Sequence, residues 1–460
     1  MKVLKFGGTS VGSSKNISKV IKIVKQESTS ENIVVVVSAV GGITDKLLLA
    51  ADKAIDKDLS YKEDFEALRL KHIEVIDGLL SGEVHETTTD IVMEHLSRLE
   101  KLLDGVYLIN ELSPKTTDKL LSFGELISSL IIYEAIKSKG VNVQLKNSQN
   151  LIVTDSNFTN AAVNFEETNA NIKTYFESNQ KMVTILPGFI SKSENDEITT
   201  LGRGGSDYTA AILAAALNVS VLQIWTDVSG MFTTNPKMVK HARPISKLSY
   251  LEAIELSHFG AKVLYPPTVQ PVLRKDIPLL IKNTLAPEDP GTLITKTVEN
   301  GSQFPIKGIS NINNVSLITL QGNGMVGIPG FSKRLFETLA HSKINVIIIT
   351  QASSEHSICI GVSDHDTIAA KTVIDKEFEN EISLFKIDPL VIEPNLSIVA
   401  VVGDKMKSHQ GISGKMFSTL GKNNVNIRAI AQGASERNIT AVISESDVKK
   451  AVQRFCLCPA

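Results

Sequence analysis

Through the first 295 or so residues, short apolar runs alternate with longer stretches of helical periodicity. The run "VLKF" (3–6) leads into a glycine turn and a helical pattern near 14–27. "NIVVVVSAV" (32–40) is apolar almost throughout. A strand covered on both faces has no polar side, so the missing alternation predicts a buried strand of the parallel-sheet kind. Helical patterns follow near 43–56, 61–80, 86–104 and 115–139. Strand-length runs resume with "VNVQL", "LIVTD", "MVTILPGF", "ITTL" and "VLQIWTD", with the helical "DYTAAILAAALN" among them. This order predicts a three-layer α/β domain over 1–295, with the helix-rich stretch 43–140 as an insertion on one side.

The Pro/Gly-rich "APEDPGTLI" (286–294) reads as a domain edge, and beyond it the pattern changes. Residues 330–362 and 411–443 match at a fixed offset of 81. The offset pairs Gly330 with Gly411, Phe336 with Phe417, Leu339 with Leu420, Asn345 with Asn426 and Gln351 with Gln432. It also pairs Ser354 with Ser435 and Glu355 with Glu436. Each copy reads strand, turn, helix, strand, turn, strand, with "VSLITL" and "LSIVAVVG" as the leading strands. The last third is therefore two copies of one small α+β module.

Composition narrows the function classes. The chain has 460 residues, with 48 Lys+Arg against 50 Asp+Glu and no block of one sign. Nothing resembles a nucleic-acid footprint. No apolar run reaches the length of a membrane span, and the N-terminus enters a strand almost at once, so no membrane partner and no leader are expected. Three cysteines, Cys359, Cys456 and Cys458, are too few and too odd in number for a disulfide framework. They predict a reducing, cytoplasmic setting. The tail "CLCPA" has no partner ligand nearby, so no metal site is expected there.

Residues 322–327, "GNGMVG", fit the dinucleotide-binding pattern G-x-G-x-x-G between a strand and a helix. The repeat argues against that use. The second copy carries "VVGDKMKSHQG" in the same turn, without the glycines, and what the copies share is the turn after the second strand. One helix per module is also too little for a mononucleotide-binding half. The glycines are expected to form a mobile loop bordering an effector pocket and facing the Gln351 turn.

Phosphate chemistry is better served elsewhere. In "LKFGGTSVG" (4–12), Gly7 and Gly8 allow a tight bend with N–H groups aimed at an anion, Lys5 adds a cation, and the following helix points its positive end there. In "LGRGGSDYTAAILAAAL" (201–217), Arg203, Gly204, Gly205 and Asp207 open a helix, with Ser206 or Asp207 as N-cap. In "IWTDVSGMFTTNPKM" (224–238), Thr226 and Asp227 end a strand, a common ligand-contact position in open α/β sheets. Singly, each is equally an ordinary turn, cap or Asx loop.

Together with "SFGELISS" and "ELSHFGAKVLYPPT", and with modules ending "ITQASSEHSI" and "IAQGASERNI", these motifs resemble the aspartate kinases over essentially the whole chain. The regulatory third, including "KGISNINNVSLITL", is most similar to the kinase half of bifunctional aspartokinase–homoserine dehydrogenases. The chain has no room for the dehydrogenase, so a monofunctional relative or a separated kinase half is expected. The resemblance implies an amino-acid-kinase fold over 1–295, a first ACT module over 313–390, and a second formed by 305–312 with 391–460. It implies ATP and L-aspartate as substrates, Mg²⁺ with the nucleotide, 4-phospho-L-aspartate as product, and a homodimer or higher oligomer through the ACT modules.

By position, the resemblance gives Lys5, Gly7, Gly8 and Asp207 catalytic roles. Arg203 would hold the substrate α-carboxylate and Glu125 its ammonium, with Thr44 and Ser38 beside them. Thr226, Asp227, Phe232, Lys237, Lys262, Gly204 and Gly205 match nucleotide-contacting positions. Gln351, Gln432, Asn345 and Asn426 match positions for an inhibitory amino acid, threonine or lysine. Phe232, Asn235, Lys237 and Tyr265 depart from the commoner Tyr, Asp, Arg and His, which bears on nucleotide affinity. The competing readings are another amino-acid kinase, a catalytically weak or inactive ACT-type sensor, and, last, a dehydrogenase using "GNGMVG".

Overall fold

The computed structural model describes residues 1–179, 182–258, 264–298, 305–351, 356–404, 406, 409–433 and 436–457. Its contacts fall into two compact units. The first holds Met1–Met231, Pro244–Tyr250 and, of the described residues after that, 264–298.

In chain order that unit contains β1 (Lys2–Phe6), α1 (Ser14–Glu27), β2 (Ile33–Val37), α2 (Ile43–Ile55), α3 (Tyr61–Asp77), α4 (Gly82–Ile109) and α5 (Pro114–Lys137). Then come β3 (Val143–Leu145), β4 (Val153–Thr154), α6 (Phe165–Ser178), β5 (Val183–Pro187), β6 (Ile190–Ser193), β7 (Ile198–Thr200), α7 (Gly205–Leu217), β8 (Leu222–Thr226) and β9 (Lys247–Ser249). The helix α8 (Tyr250–His258) starts here, and α9 (Gln270–Arg274), β10 (Leu279–Asn283) and β11 (Thr292–Thr295) complete the unit.

Eight of these strands form one sheet in the order β3-β5-β2-β1-β8-β10-β11-β9, parallel except between β10 and β11. The apolar β2 is buried at every position. Its Ile33, Val35 and Val37 join Leu4, Phe6 and Trp225 in a core shared with α1 and α5, so Val34 and Val36 face the opposite layer, which holds α7. That is the physical reason the run shows no alternation. The strand β1 has β2 on one side and β8 on the other, so the order reverses at β1. Open α/β sheets bind ligands in the crevice at such a switch point, beyond the strands' C-terminal ends. A small second sheet, β4-β6-β7, is tied by a buried hydroxyl ladder: Thr154 Oγ1 to Thr199 Oγ1 at 2.7 Å, and Thr199 to Ser191 at 2.9 Å.

The second unit contains β12 (Gly308–Gln321), α10 (Phe331–His341), β13 (Ile348–Gln351), β14 (Ser357–Ser363), α11 (Thr367–Glu377), α12 (Glu379–Ser383), β15 (Val391–Val402), α13 (Ile412–Lys422), β16 (Ile427–Gln432), β17 (Asn438–Ser444) and α14 (Val448–Leu457). The strands form one antiparallel sheet, β13-β14-β12-β15-β17-β16. Each module carries a second helix after its last strand, α11 and α14, which the repeat pattern did not reveal. Val315 pairs with Leu396, its own equivalent at the offset of 81, so a pseudo-twofold passes between them. Strand exchange is therefore reciprocal. Gly308–Ile312 of β12 pairs beside the second module's β15, and the start of β15, through Thr319↔Val391, pairs beside the first module's part of β12.

Two stretches expected in the catalytic domain count with this second unit: Phe232–Arg243 and α8 from Leu251 onward. Ile309 N–H donates to Thr233 O at 2.8 Å, Val239 packs in the second module's core, and Ser310 Oγ donates to Leu256 O at 3.1 Å. Glu252, only 2% exposed, accepts from Asp404 N–H at 3.1 Å. By contacts the two stretches group with this unit, because their apolar residues complete the core around β12 and β15.

The "GNGMVG" turn differs from its expected mobility. Gly322 N–H donates to His356 O at 3.0 Å and Gly324 N–H to Lys386 O at 2.9 Å. A Cβ on Gly322 would lie 2.4 Å from Lys386 O, and one on Gly324 would lie 2.6 Å from Lys386 Cβ. Met325 is buried between them and the module core. The glycines allow two backbone segments to touch. Among the described residues no helix is long and apolar enough to cross a membrane.

Candidate active site

The ends of β1 and β2 open into one cavity of about 550 Å³. Lys5, Gly8, Ser38, Thr44, Glu125, Arg203, Gly204, Gly205 and Asp207, nine residues singled out from the sequence, all line it. They come from five separate places in the chain, and the switch point brings them together.

Two helix starts face the cavity: that of α7, as expected, and that of α2, which was not, while the expected start of α1 is absent from the lining. The helix α1 begins at Ser14, capped by Ser13, and contributes nothing to the lining. Its place is taken by the first residues of α2 (Gly42, Thr44, Asp45) and of α7 (Gly205, Ser206, Asp207). The N-cap of α7 is Gly204, with φ 72°, so Asp207 lies in the first turn and neither it nor Ser206 is the cap. A Cβ at Gly204 would strike the Tyr265 ring, which is why the sequence has glycine there. Uncapped N–H groups at two helix starts favour an anion between them.

Lys5 Nζ stands 2.7 Å from Asp207 Oδ1, both side chains nearly buried. The contact is an ion pair. Gly7 lies beside the pair: a Cβ there would be 3.4 Å from Lys5 Nζ, and its N–H donates to Trp225 O at 3.1 Å. Gly8 and Gly41 pack backbone to backbone, a Cβ on Gly41 falling 2.9 Å from Gly8 O. Arg203 is exposed, with its guanidinium 5.7 Å from the Tyr265 ring centroid. Aromatic support of this kind restricts where the fork can point.

Glu125 is the unusual group. It is 4% exposed on α5, and Ala39 N–H donates to its Oε1 at 3.3 Å. Its Oε2 is buried without a hydrogen-bond partner among the described residues. Burial pushes its carboxyl up to about 8, against smaller opposing pulls from the Ala39 N–H, its own backbone N–H and the Lys5 charge. A buried acceptor with nothing to accept from calls for a donor from outside.

Sequence reading missed part of the lining. Thr117, Thr159, Phe189, Thr200 and Gly202 all face the cavity. Most come from the small β4-β6-β7 sheet and its loops, where single threonines carry no pattern. The pair Gly41-Gly42, directly after a strand, was a signal that could have been used.

Other expected residues lie elsewhere. Thr226 and Asp227 end β8 beside β1, bonded to each other at 3.1 Å, and are not in the cavity lining. Phe232 and Lys237 count with the second unit, and Lys262 lies outside the described residues. Gln351, Gln432, Asn345 and Asn426 belong to the second unit, all exposed and related by its pseudo-twofold.

Fold and cavity together define an open α/β protein able to hold a small ligand bearing both an anion and a cationic donor. Comparisons with known proteins carry the assignment further. Residues 1–283 match the amino acid kinase family, and residues 318–378 and 399–455 match the ACT domain. The bifunctional aspartokinase/homoserine dehydrogenase of Haemophilus influenzae is 35% identical over 98% of this chain and 56% of its own length. Aspartokinase 1 of Arabidopsis thaliana, chloroplastic, is 32% identical over 98% of this chain and 79% of its own. The crystal structure of E. coli aspartokinase III with aspartate and ADP superposes with TM-score 0.83, at 30% identity, over 99% of this chain and 98% of that one. The chain belongs to the amino acid kinase family, in its aspartokinase branch, with ACT modules following the kinase fold. It spans about half the length of the bifunctional relatives it matches.

Proposed function

We propose that this protein is an aspartate kinase, transferring the γ-phosphoryl group of ATP to the side-chain carboxylate of L-aspartate. The observation that carries the reading is Glu125: a buried carboxyl with an unpartnered oxygen, lining the same cavity as Arg203 and the Lys5–Asp207 pair. An α-amino acid offers an ammonium for Glu125 and an α-carboxylate for Arg203, which leaves its second carboxylate free to react. The aspartate and ADP in the E. coli aspartokinase III crystal structure support the same substrates here.

The chemistry asks little of acid–base catalysis. A side-chain carboxylate is already ionised at neutral pH, so no base is needed to make it a nucleophile. One of its oxygens forms a bond to the γ-phosphorus, the bond from that phosphorus to the bridging oxygen breaks, and ADP leaves with those electrons. The transition state needs in-line positioning and neutralised equatorial oxygens. Lys5 supplies a cation, the starts of α2 and α7 supply N–H groups, and Asp207 holds the Lys5 ammonium in place. Mg²⁺ enters with the nucleotide, bound by its phosphates.

Inhibition by an end-product amino acid, threonine or lysine, through the ACT modules extends the reading. It is supported by the exposed Gln351 and Gln432 at equivalent strand ends, and by a solved complex of E. coli aspartokinase III with lysine and aspartate. A homodimer or higher homo-oligomer acting in the cytoplasm completes the proposal. The decisive experiment is ADP release with Mg-ATP and L-aspartate, repeated with Lys5→Ala and with threonine, lysine and methionine added. No turnover by the wild-type protein sinks the kinase reading. Turnover insensitive to all three amino acids sinks the regulatory one.

A further inference from the structure

Asp118 has no part in the functions above, yet it is fully buried and its carboxylate accepts three hydrogen bonds. It lies on α5, seven residues before Glu125, so the two share a helix face. Its Oδ2 accepts from Thr159 N–H at 2.8 Å and from Thr200 N–H at 3.0 Å. Its Oδ1 accepts from Thr200 Oγ1 at 2.6 Å. Both partners belong to the small β4-β6-β7 side of the cavity: Thr159 from the loop between β4 and α6, Thr200 from the end of β7. Thr159 has φ 70°, a left-handed conformation uncommon for threonine, held in place by this contact and by the turn around it.

We infer that Asp118 is a positioning residue for the amino-acid substrate: it ties the β7 end and the 155–161 loop to α5, and so sets where Arg203 stands relative to Glu125. The chain passes from Thr200 through Gly202, φ 69°, to Arg203 within three residues, so a shift at Thr200 moves the guanidinium. Glu125 and Arg203 are carried by different elements, α5 and the β7–α7 turn, and the Asp118 carboxylate bonds from α5 to Thr200 at the start of that turn. A charged acceptor with three donors makes a stiff connection. Among the described residues, Asp118 has no side-chain bond to the ends of β1 and β8, where the proposed function puts the nucleotide. The prediction is therefore selective. It rests on the aspartate kinase reading for its kinetic part.

The test compares Asp118→Asn, Thr200→Val and Thr200→Ser. Asn keeps the volume but turns an N–H₂ toward donors. Val removes the hydroxyl donor, and Ser restores it. Loss of a charge-assisted bond and a misplacement of Arg203 raise KM for L-aspartate by about tenfold or more in Asp118→Asn. KM for Mg-ATP stays within about twofold, because only one ligand is misplaced. Thr200→Val raises KM for L-aspartate less and adds little in the double variant, since both changes break one contact. Thr200→Ser recovers wild-type KM. Equal rises in both KM values, or wild-type KM for L-aspartate in Asp118→Asn, overturn the inference. Hydrogen–deuterium exchange of the full chain reads the tether without any substrate. Faster exchange in 155–161 and 198–203 of Asp118→Asn, with α5 unchanged, is the expected result, and unchanged exchange there refutes the tether. If the wild-type protein turns over no aspartate while the exchange result holds, it is the substrate reading that has failed, not the tether.

Discussion

Replacing Glu125 by Gln should remove function and add stability, and the gain should depend on pH. In the folded protein the Glu125 carboxyl titrates at about 8, raised by burial from an ordinary value of 4.5. A group whose folded pKa is raised contributes its full stability below the unfolded pKa and loses it as pH rises through the folded one. At pH 4 the residue is neutral in both states and favours neither. Between pH 4.5 and 8 the unfolded chain ionises it and the folded chain does not, so folding loses about 1.4 kcal/mol per pH unit. The loss reaches roughly 3 kcal/mol at pH 7 and about 4 kcal/mol at pH 8, then levels. Gln has nearly the same volume, its carbonyl can accept the Ala39 N–H, and it cannot ionise. Glu125→Gln should therefore melt within a degree of wild type at pH 4.5 and several degrees higher at pH 8. The assay is thermal unfolding at pH 4.5, 6, 7 and 8, with and without L-aspartate. The substrate ammonium supplies the partner that Oε2 lacks, so L-aspartate should stabilise wild type and leave the variant unmoved. A melting difference independent of pH, or a Gln variant less stable at pH 8, would refute the reasoning.

Lys5→Ala should lower kcat by roughly a hundredfold or more, as loss of a preorganised charge at a transition state does, with a smaller change in KM for L-aspartate; single-turnover phosphoryl transfer checks it. His72 is buried on α3, with Nδ1 2.9 Å from Leu68 O and Nε2 without a partner among the described residues, and burial lowers it to about 4. Its depressed folded value means that its stability contribution is present above pH 6.5 and lost as pH falls toward 4, about 2 kcal/mol by pH 5. His72→Gln should flatten that acid limb of the melting profile. Gly324→Ala would drive a Cβ to 2.6 Å from Lys386 Cβ and should destabilise the first ACT module by about 1–3 kcal/mol, seen in denaturant unfolding. The wild-type chain should show no NADH or NADPH fluorescence enhancement; a saturable signal would return "GNGMVG" to consideration as a cofactor loop.

Local order was legible wherever one residue type repeats at a spacing set by backbone geometry. The apolar β2 declared burial on both faces because a sheet side chain alternates sides, and both sides are covered. Glycines mark turns that line the cavity at 41 and 204–205, where a Cβ would run into Gly8 O, the Tyr265 ring and the Phe189 ring. The 81-residue offset announced two modules, and Val315 opposite Leu396 is its structural expression.

What the sequence could not decide were the matters settled by long-range packing. Whether α1 or α7 aims its start at the cavity depends on where each helix begins relative to the strand end. Gly204 as the cap of α7, and six residues between Phe6 and Ser13 before α1, decided it. Asp118 is one polar residue on a helix with no motif around it, and it became a tether only because β7 returns beside α5, 82 residues later. Phe232–Arg243 reads as catalytic sequence but packs with the ACT core, because Val239 and Thr233 find β12 and the second module's helices as partners. The sequence by itself determined the elements, the repeat and the chemical groups available, since these follow from periodicity and residue type. Tertiary structure alone decided which groups share the cavity, because burial and hydrogen bonding across dozens of residues leave no local trace.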